Sequence, residues 1–415
     1  MAWFNRMIAV AGVALMLLCG VAAQDKPEVE GGESSGSADG EGEAGSEAGE
    51  TDKDAGDAVA AKIRNKRYET PEMRAAIKKA LKRLSELQDT NGSFSKGTSA
   101  NTMIAVTSLS GLALLASGSN AETGPYSANI NKAVEYLLSI QDPNTGYFTT
   151  GTDGSRIHGH GYATLFLAQV YGSQQSNKKL KKSLKHAVSC IEKGQTKDGG
   201  WGYVPDDLTW DEGSTTVCCM QALRAASDAG IHVQGKTIQL AIDYMYSTAV
   251  ATPFEHDGIE YKGYTFKYSR DSSWSSESYA ICAAAISTLN GIGIYAEGAT
   301  WEEKEIGKVY RGGLDWLRYK FEEFIKRRQE GQSSLDTHHF YYAHFYACQA
   351  MWNAPEDDSF DAYFPRMRDL LLDEHKRSAT TGGGWPAQSY GEAYTTAFAL
   401  LILQVPYQML PFFSK

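Results

Sequence analysis

The sequence predicts an all-α protein in which six helical hairpins close into a double ring of inner and outer helices. Three observations carry that prediction. A phrase made of Gln, a polar Gly turn and an aromatic recurs: Gln88…Gly92-Ser93-Phe94, Gln141…Gly146-Tyr147-Phe148 and Gln195…Gly199-Gly200-Trp201. The Gln positions lie 53 and 54 residues apart, and a fixed period of that size marks a repeat architecture. Helices of two kinds alternate around the phrase, one amphipathic and one apolar on nearly every side. The apolar kind occurs six times, which sets the number of hairpins.

The amphipathic helices come first in each unit: Met73–Leu87, Ile130–Ile140 and Leu180–Ile191. Apolar residues recur in them at three and four, as in Val134, Leu137 and Leu138, the pattern of one buried stripe on a surface helix. The second helices are Thr102–Ala116, Tyr162–Val170, Ser214–Ala226, Tyr279–Leu289, Tyr342–Trp352 and Tyr394–Leu403. A helix apolar all round belongs inside. Taking their first residues as equivalent gives spacings of 60, 52, 65, 63 and 52. The phrase is degenerate in units four and five, where Gly263-Tyr264-Thr265-Phe266 is a remnant, and returns as Gly384-Trp385 in the last. Closure of the ring removes the need for capping repeats.

The phrase has a physical reading as a staple. Asp or Asn before Gly suits a tight turn, with Gly supplying positive φ. The Gln amide can bond backbone groups left open at a helix end, and Phe94, Phe148, Trp201 and Trp385 can bury their rings against the next hairpin. The structural set is therefore Gln88, Gly92, Phe94, Gln141, Gly146, Phe148, Gln195, Gly200, Trp201, Gly384 and Trp385.

The ends of the chain read differently. Arg6, the apolar run Met7–Leu18 and the small residues Val21-Ala22-Ala23 form a signal-peptide pattern over residues 1–23. The run is short for a membrane span, so no transmembrane helix is expected after cleavage, and the protein is expected in the periplasm or outside the cell. Residues 24–60 read as an acidic disordered linker, and 61–415 as the helical domain. Residues 24–57 hold 12 acidic and 2 basic side chains, a net of −10, which equals the net charge of the whole chain. The helical domain is then near neutral and lacks the basic footprint of a nucleic-acid binder. Five cysteines follow the leader, Cys190, Cys218, Cys219, Cys282 and Cys348, all in apolar helical stretches. The odd number leaves at least one thiol unpaired.

The Gln…Gly-x-aromatic phrase resembles the QW repeat of the terpenoid cyclase and protein prenyltransferase superfamily. The closing run Gly384-Trp385, Tyr394-Thr395-Thr396-Ala397-Phe398-Ala399-Leu400-Leu401 and Gln404-Val405-Pro406-Tyr407 is similar to prenyltransferase/squalene-oxidase-repeat proteins exported by some environmental bacteria. The resemblance covers about residues 70–412 and implies an α6/α6 toroid; it does not by itself imply an activity. The family's chemistries lose their defining residues here. An Asp-x-Asp-Asp acid motif ending at Asp206-Asp207 or Asp357-Asp358 would need Asp where Val204 and Pro355 stand. No Asp lies two before any of the five cysteines, so the Asp-x-Cys zinc motif is missing, and Thr395 follows Tyr394 where those enzymes carry His. The thioester motif Cys-Gly-Glu-Gln is missing too.

What remains is a polar set at the starts of the inner helices, expected to converge at one mouth: His158, His160 and Tyr162; Asp211; Glu277; His339, Tyr342 and His344; Glu392 and Tyr394. Trp210, Trp274, His338 and Tyr390 accompany them. Helix N-termini at that mouth favour anions, although Asp and Glu there are helix caps first. The histidines could hold a metal or serve as acid and base, but most are expected to be hydrogen-bonded structural residues, and no metal set is assigned. Cofactor and ligand stay open: a small molecule, glycan, lipid or peptide. An exported ligand-binding or scaffold toroid is the first expectation. A prenyltransferase- or cyclase-like enzyme on isoprenoids and a polysaccharide lyase or hydrolase are the alternatives. Depth and lining of the lumen discriminate among them.

Overall fold

A computed structural model describes residues 66–94, 102–273, 276–292, 303–331, 339–355, 358–377, 382–388 and 390–411. The expectations for residues 1–60, Trp274, His338 and Asp357 lie outside the described residues. Among the described residues twelve α-helices alternate in role. The outer ones are α1 (Pro71–Glu86), α3 (Ser127–Ser139), α5 (Lys178–Lys193), α7 (Gly235–Thr248), α9 (Glu303–Gln329) and α11 (Asp358–Arg377). The inner ones are α2 (Met103–Ala116), α4 (Arg156–Ser173), α6 (Gly213–Asp228), α8 (Tyr279–Gly291), α10 (Phe340–Trp352) and α12 (Glu392–Gln404).

Each inner helix packs on the next, and α12 returns to α2, so the inner ring is closed. Buried Gln404 marks the closure by donating to the Ala113 carbonyl at 3.1 Å. The outer seam is tied by charge. Arg83 of α1 grips Glu392 of α12 through two bonds of 2.8 Å, and Tyr407 donates to Glu69 at 2.8 Å. The double ring that the repeat predicts is therefore present. Unit four departs from it: four short strands stand between α7 and α8. β1 (Ala249–Ala251) pairs antiparallel with β4 (Tyr264–Phe266), and β2 (Phe254–His256) with β3 (Ile259–Tyr261). Phe266, in the remnant phrase, is still buried.

The phrase is a staple with repeating geometry. In three successive units the Gln amide donates to its own turn and to the next outer helix. Gln88 reaches Gly92 and Asn129 carbonyls (3.0 and 2.9 Å), Gln141 those of Gly146 and Ser183 (2.9 and 3.0 Å), and Gln195 those of Gly199 and Thr237 (both 2.9 Å). The turn glycine has positive φ and lies against the same helix. A Cβ on Gly92, Gly146 or Gly199 would stand 2.1–2.3 Å from the carbonyl oxygen of Lys132, His186 or Leu240. This corrects two positions. The turn glycines of units three and six are Gly199 and Gly383, each two before the tryptophan, not Gly200 and Gly384. The four aromatics are buried, and the indole N–H groups of Trp201 and Trp385 donate to the Ile191 and Leu371 carbonyls at 2.7 and 2.9 Å.

Each aromatic's backbone N–H is held by a side chain of the following inner helix. Thr107 accepts from Phe94, Thr216 from Trp201 and Thr396 from Trp385, at 3.0–3.1 Å. In unit two the acceptor is Nδ1 of His160, at 3.2 Å from the Phe148 nitrogen. That equivalence corrects the register of unit two: its inner helix begins at Arg156, not Tyr162. The Gly-rich opening Gly159-His160-Gly161 reads as a loop because glycine disfavours helix. The structure makes it helical because a Cβ on Gly161 would meet the Cys218 sulfur at 2.5 Å, so these glycines serve close packing of α4 on its neighbours. The five cysteines are all buried and unpaired.

Candidate functional site

The first turns of the inner helices meet at one end of the ring and line a bowl of about 580 Å³. Helix α2 contributes Ala105, Val106 and Leu109, and α8 contributes Ala280 and Ile281, which give the bowl its aliphatic wall. Tyr162 of α4, Tyr342 of α10, and Tyr394 and Phe398 of α12 supply rings from inside the barrel. Tyr203, Tyr268 and Tyr390 supply rings from the segments that lead into helices, and His158 and His339 complete the polar part. Among the described residues none that lines the bowl is Asp or Glu.

The bowl is closed below. Tyr162 and Tyr346 come from opposite helices of the inner ring, and their hydroxyls meet at 3.2 Å. Tyr346 and Phe345 are fully buried, and the Tyr346 ring packs on Tyr342 at 4.8 Å. Burial raises the Tyr162, Tyr342 and Tyr394 phenols well above their ordinary range, so all three stay neutral.

His158 is anchored through Nε2, 2.9 Å from Ser214 Oγ, which itself donates to Glu212 at 2.7 Å. Glu212 is fully buried as the N-cap of α6, accepting from the Ser214 and Thr215 amides at 2.7 Å. It stands 3.9 Å from His158 Nε2. Burial lowers the His158 pKa and the Glu212 charge offsets part of that. At the rim, Tyr203 and Tyr268 share a hydroxyl hydrogen bond, and Trp210, 38% exposed, packs on both rings at 5.1 and 6.4 Å. Arg156 lies over the Tyr203 ring, its guanidinium carbon 5.7 Å from the centroid.

The α/α toroid domain of the prenyltransferase family matches residues 63–255. The protein is an α/α toroid, the fold that this match and the closed ring of inner helices both give. The toroid is similar in fold to the type II terpene cyclase MstE from Scytonema in its apo form. That match has a TM-score of 0.52 at 13% identity, over 82% of this chain and 99% of that one. It is also similar to an inactive variant of α-1,6-mannanase GH76A from Salegentibacter sp. HEL1_6 in complex with α-1,6-mannotetrose. There the TM-score is 0.53 at 10% identity, over 81% and 99% of the two chains. No curated protein matches the sequence. At these identities the likeness is one of fold alone, and the fold is shared by proteins of different chemistry.

Of the ten residues expected at the toroid's mouth, His158, Tyr162, His339, Tyr342 and Tyr394 line the bowl. The other five are placed elsewhere. His160 is fully buried in the unit-two staple, and its Nε2–H donates to the Ala187 carbonyl at 3.2 Å. Asp211 is buried beneath the unit-three turn, accepting from Thr196 at 2.5 Å. His344 occupies the corresponding staple position of α10 and pairs through Nδ1 with the Tyr363 hydroxyl at 2.9 Å. Glu392 is held by Arg83, and Glu277 is exposed outside the lining set. Burial pushes His160 down to about 4 and His344 to about 3, so both are neutral structural groups. Among the described residues no three His, Cys, Asp or Glu side chains gather in a way that could hold a metal ion.

Arg156, Tyr203 and Tyr268 line the bowl without having been singled out by sequence. A signal for the tyrosines was present. Each lies two residues after a buried staple aromatic, Trp201-Gly202-Tyr203 and Phe266-Lys267-Tyr268, and extended chain sends such neighbours to the same face. Arg156 carries no such signal.

Proposed function

We propose that this toroid is a binding protein for a small molecule with a flat apolar body, and that it performs no acid-initiated chemistry on it. The lining of the bowl carries this reading. Its volume falls within the few hundred to roughly 1,000 Å³ typical of small-molecule pockets. Six tyrosines and Phe398 offer ring faces and edges, and Leu109 and Ile281 offer aliphatic contact. Cyclisation by alkene protonation and glycoside hydrolysis both call for a carboxyl group at the reacting atoms, and among the described residues the lining holds none. The tyrosine closure beneath the bowl limits ligand length and weighs against a long polyprenyl chain threaded along the axis. On residues 1–23 we place the protein outside the cytoplasm, which is checked by finding the mature N-terminus near Gln24.

The test is calorimetric titration of the purified protein with 2-naphthamide, geranylgeraniol and α-1,6-mannotetrose, each followed by product analysis. Binding of 2-naphthamide that weakens by about tenfold in Tyr342→Ala or Tyr394→Ala supports the reading, since one lost ring contact is worth about 1 kcal/mol or more. Turnover of either of the other two compounds, or no binding of the naphthyl probe, overturns it.

A further inference from the structure

We infer that the ligand carries a carboxylate and that Arg156 at the rim of the bowl is the residue that recognises it. The inference deepens the binding reading above and rests on it.

Arg156 is locally out of place in three ways. Its φ is +51°, one of three non-glycine residues with positive φ among those described. A side chain there strains the backbone. It is the first residue of α4, where the helix dipole disfavours a cation. Among the described residues it also has no carboxylate partner, and its side chain lies over the Tyr203 ring. The surroundings hold it in this state. Asp153 accepts from the Ser155 amide at 2.9 Å and from the Ile104 amide of α2 at 2.9 Å. One residue on, the Ile157 amide donates to the Tyr203 carbonyl at 3.0 Å. Both sides of Arg156 are thus tied to neighbouring hairpins, and the strained residue between them is over-determined. Strain of that kind persists where it serves a site.

The position serves one. Among the described residues Arg156 is the one permanent cation in the lining, and no described anion in the lining answers it. A guanidinium offers a fork of donors that matches a carboxylate. The N-termini of the inner helices face the same space and add partial positive charge. A single fixed cation suits a monoanion. The apolar body of such a ligand would lie on the rings of Tyr394 and Phe398 and on Leu109, with its acid group at the rim.

The test compares 2-naphthoate with 2-naphthamide, which match in shape and differ in charge, by calorimetry on the full chain. The naphthoate is expected to bind about tenfold more tightly at low salt, a preference that shrinks as salt rises. Arg156→Gln and Arg156→Gly should reduce the ratio of naphthoate to naphthamide affinity to about one. Arg156→Gly should also melt at or above the parent temperature, because glycine accepts this φ without strain. Equal affinities in the parent protein overturn the inference and leave the binding reading standing. A preference that survives both variants also overturns it and assigns the anion to the helix ends. Failure of naphthamide itself to bind removes both readings.

Discussion

Replacing His160 by threonine tests the assignment of this histidine to the staple. Its Nδ1 stands where units one, three and six place a threonine hydroxyl, so a threonine can still accept the Phe148 N–H. The variant loses the bond to the Ala187 carbonyl and the imidazole volume, which costs about 1–3 kcal/mol near pH 7.5. The pH dependence is the sharper readout. Burial lowers the folded pKa from 6.5 to about 4. Between those values the unfolded chain takes up a proton that the folded chain refuses. The contribution is complete above about pH 6.5, declines as pH falls, and is gone below about pH 4, a total of about 3 kcal/mol. At pH 5 about 2 kcal/mol of it is lost. Urea unfolding followed by tryptophan fluorescence at pH 7.5 and pH 5 measures both proteins. His344 responds in the same direction but is present in both, so it cancels. The parent's advantage should shrink by about 2 kcal/mol on acidification. An advantage that changes by less than about 0.5 kcal/mol would refute the buried, neutral assignment.

Two further perturbations address the staple. Trp201→Ala removes a fully buried ring and orphans its bond to the Ile191 carbonyl; a loss of about 3–5 kcal/mol in the same unfolding assay is expected, and an unmoved melting temperature would defeat the staple reading. Gly199→Ala and Gly151→Ala both place a Cβ at positive φ, but the first meets the Leu240 carbonyl at 2.1 Å and the second meets nothing within 4 Å. The Gly151 variant should lose about 1 kcal/mol from backbone strain alone, the Gly199 variant at least twice that, and equal losses would show that turn geometry rather than close approach selects Gly199.

Much of the ring was legible because its signals are local. Apolar periodicity separates α1, α3 and α5 from the inner helices, and the Gln phrase repeats in sequence as it does in space. The failures have local causes as well. In unit two Gly159 and Gly161 hide the helix start, because their helix-breaking tendency is overridden by contacts with α2 and α6 that only the fold creates. In units three and six the choice between two adjacent glycines depends on φ. The short strands before α8 arise from pairings between segments that carry no strong strand pattern.

The site was legible only in part, for a reason shared by its misassigned residues. A polar residue at a helix start can face the lumen or the outer ring, and the sequence distinguishes these poorly. His158 and His160 are two apart on one helix. The first faces the bowl beside Ser214, and the second turns outward to Phe148 and Ala187. Glu392 is bound by Arg83, which lies 309 positions away in the chain.

By itself, then, the sequence determined the helical class, the number of hairpins and the staple, because helix burial and tight turns are encoded within a few residues. It also showed which family chemistries lack their defining residues. Tertiary structure alone decided which side chains share the bowl, how Tyr162 and Tyr346 close it, and that Arg156 stands at its rim over the Tyr203 ring. Those facts depend on ring closure, which brings together residues far apart in the chain and sets the lumen's depth by packing across its diameter.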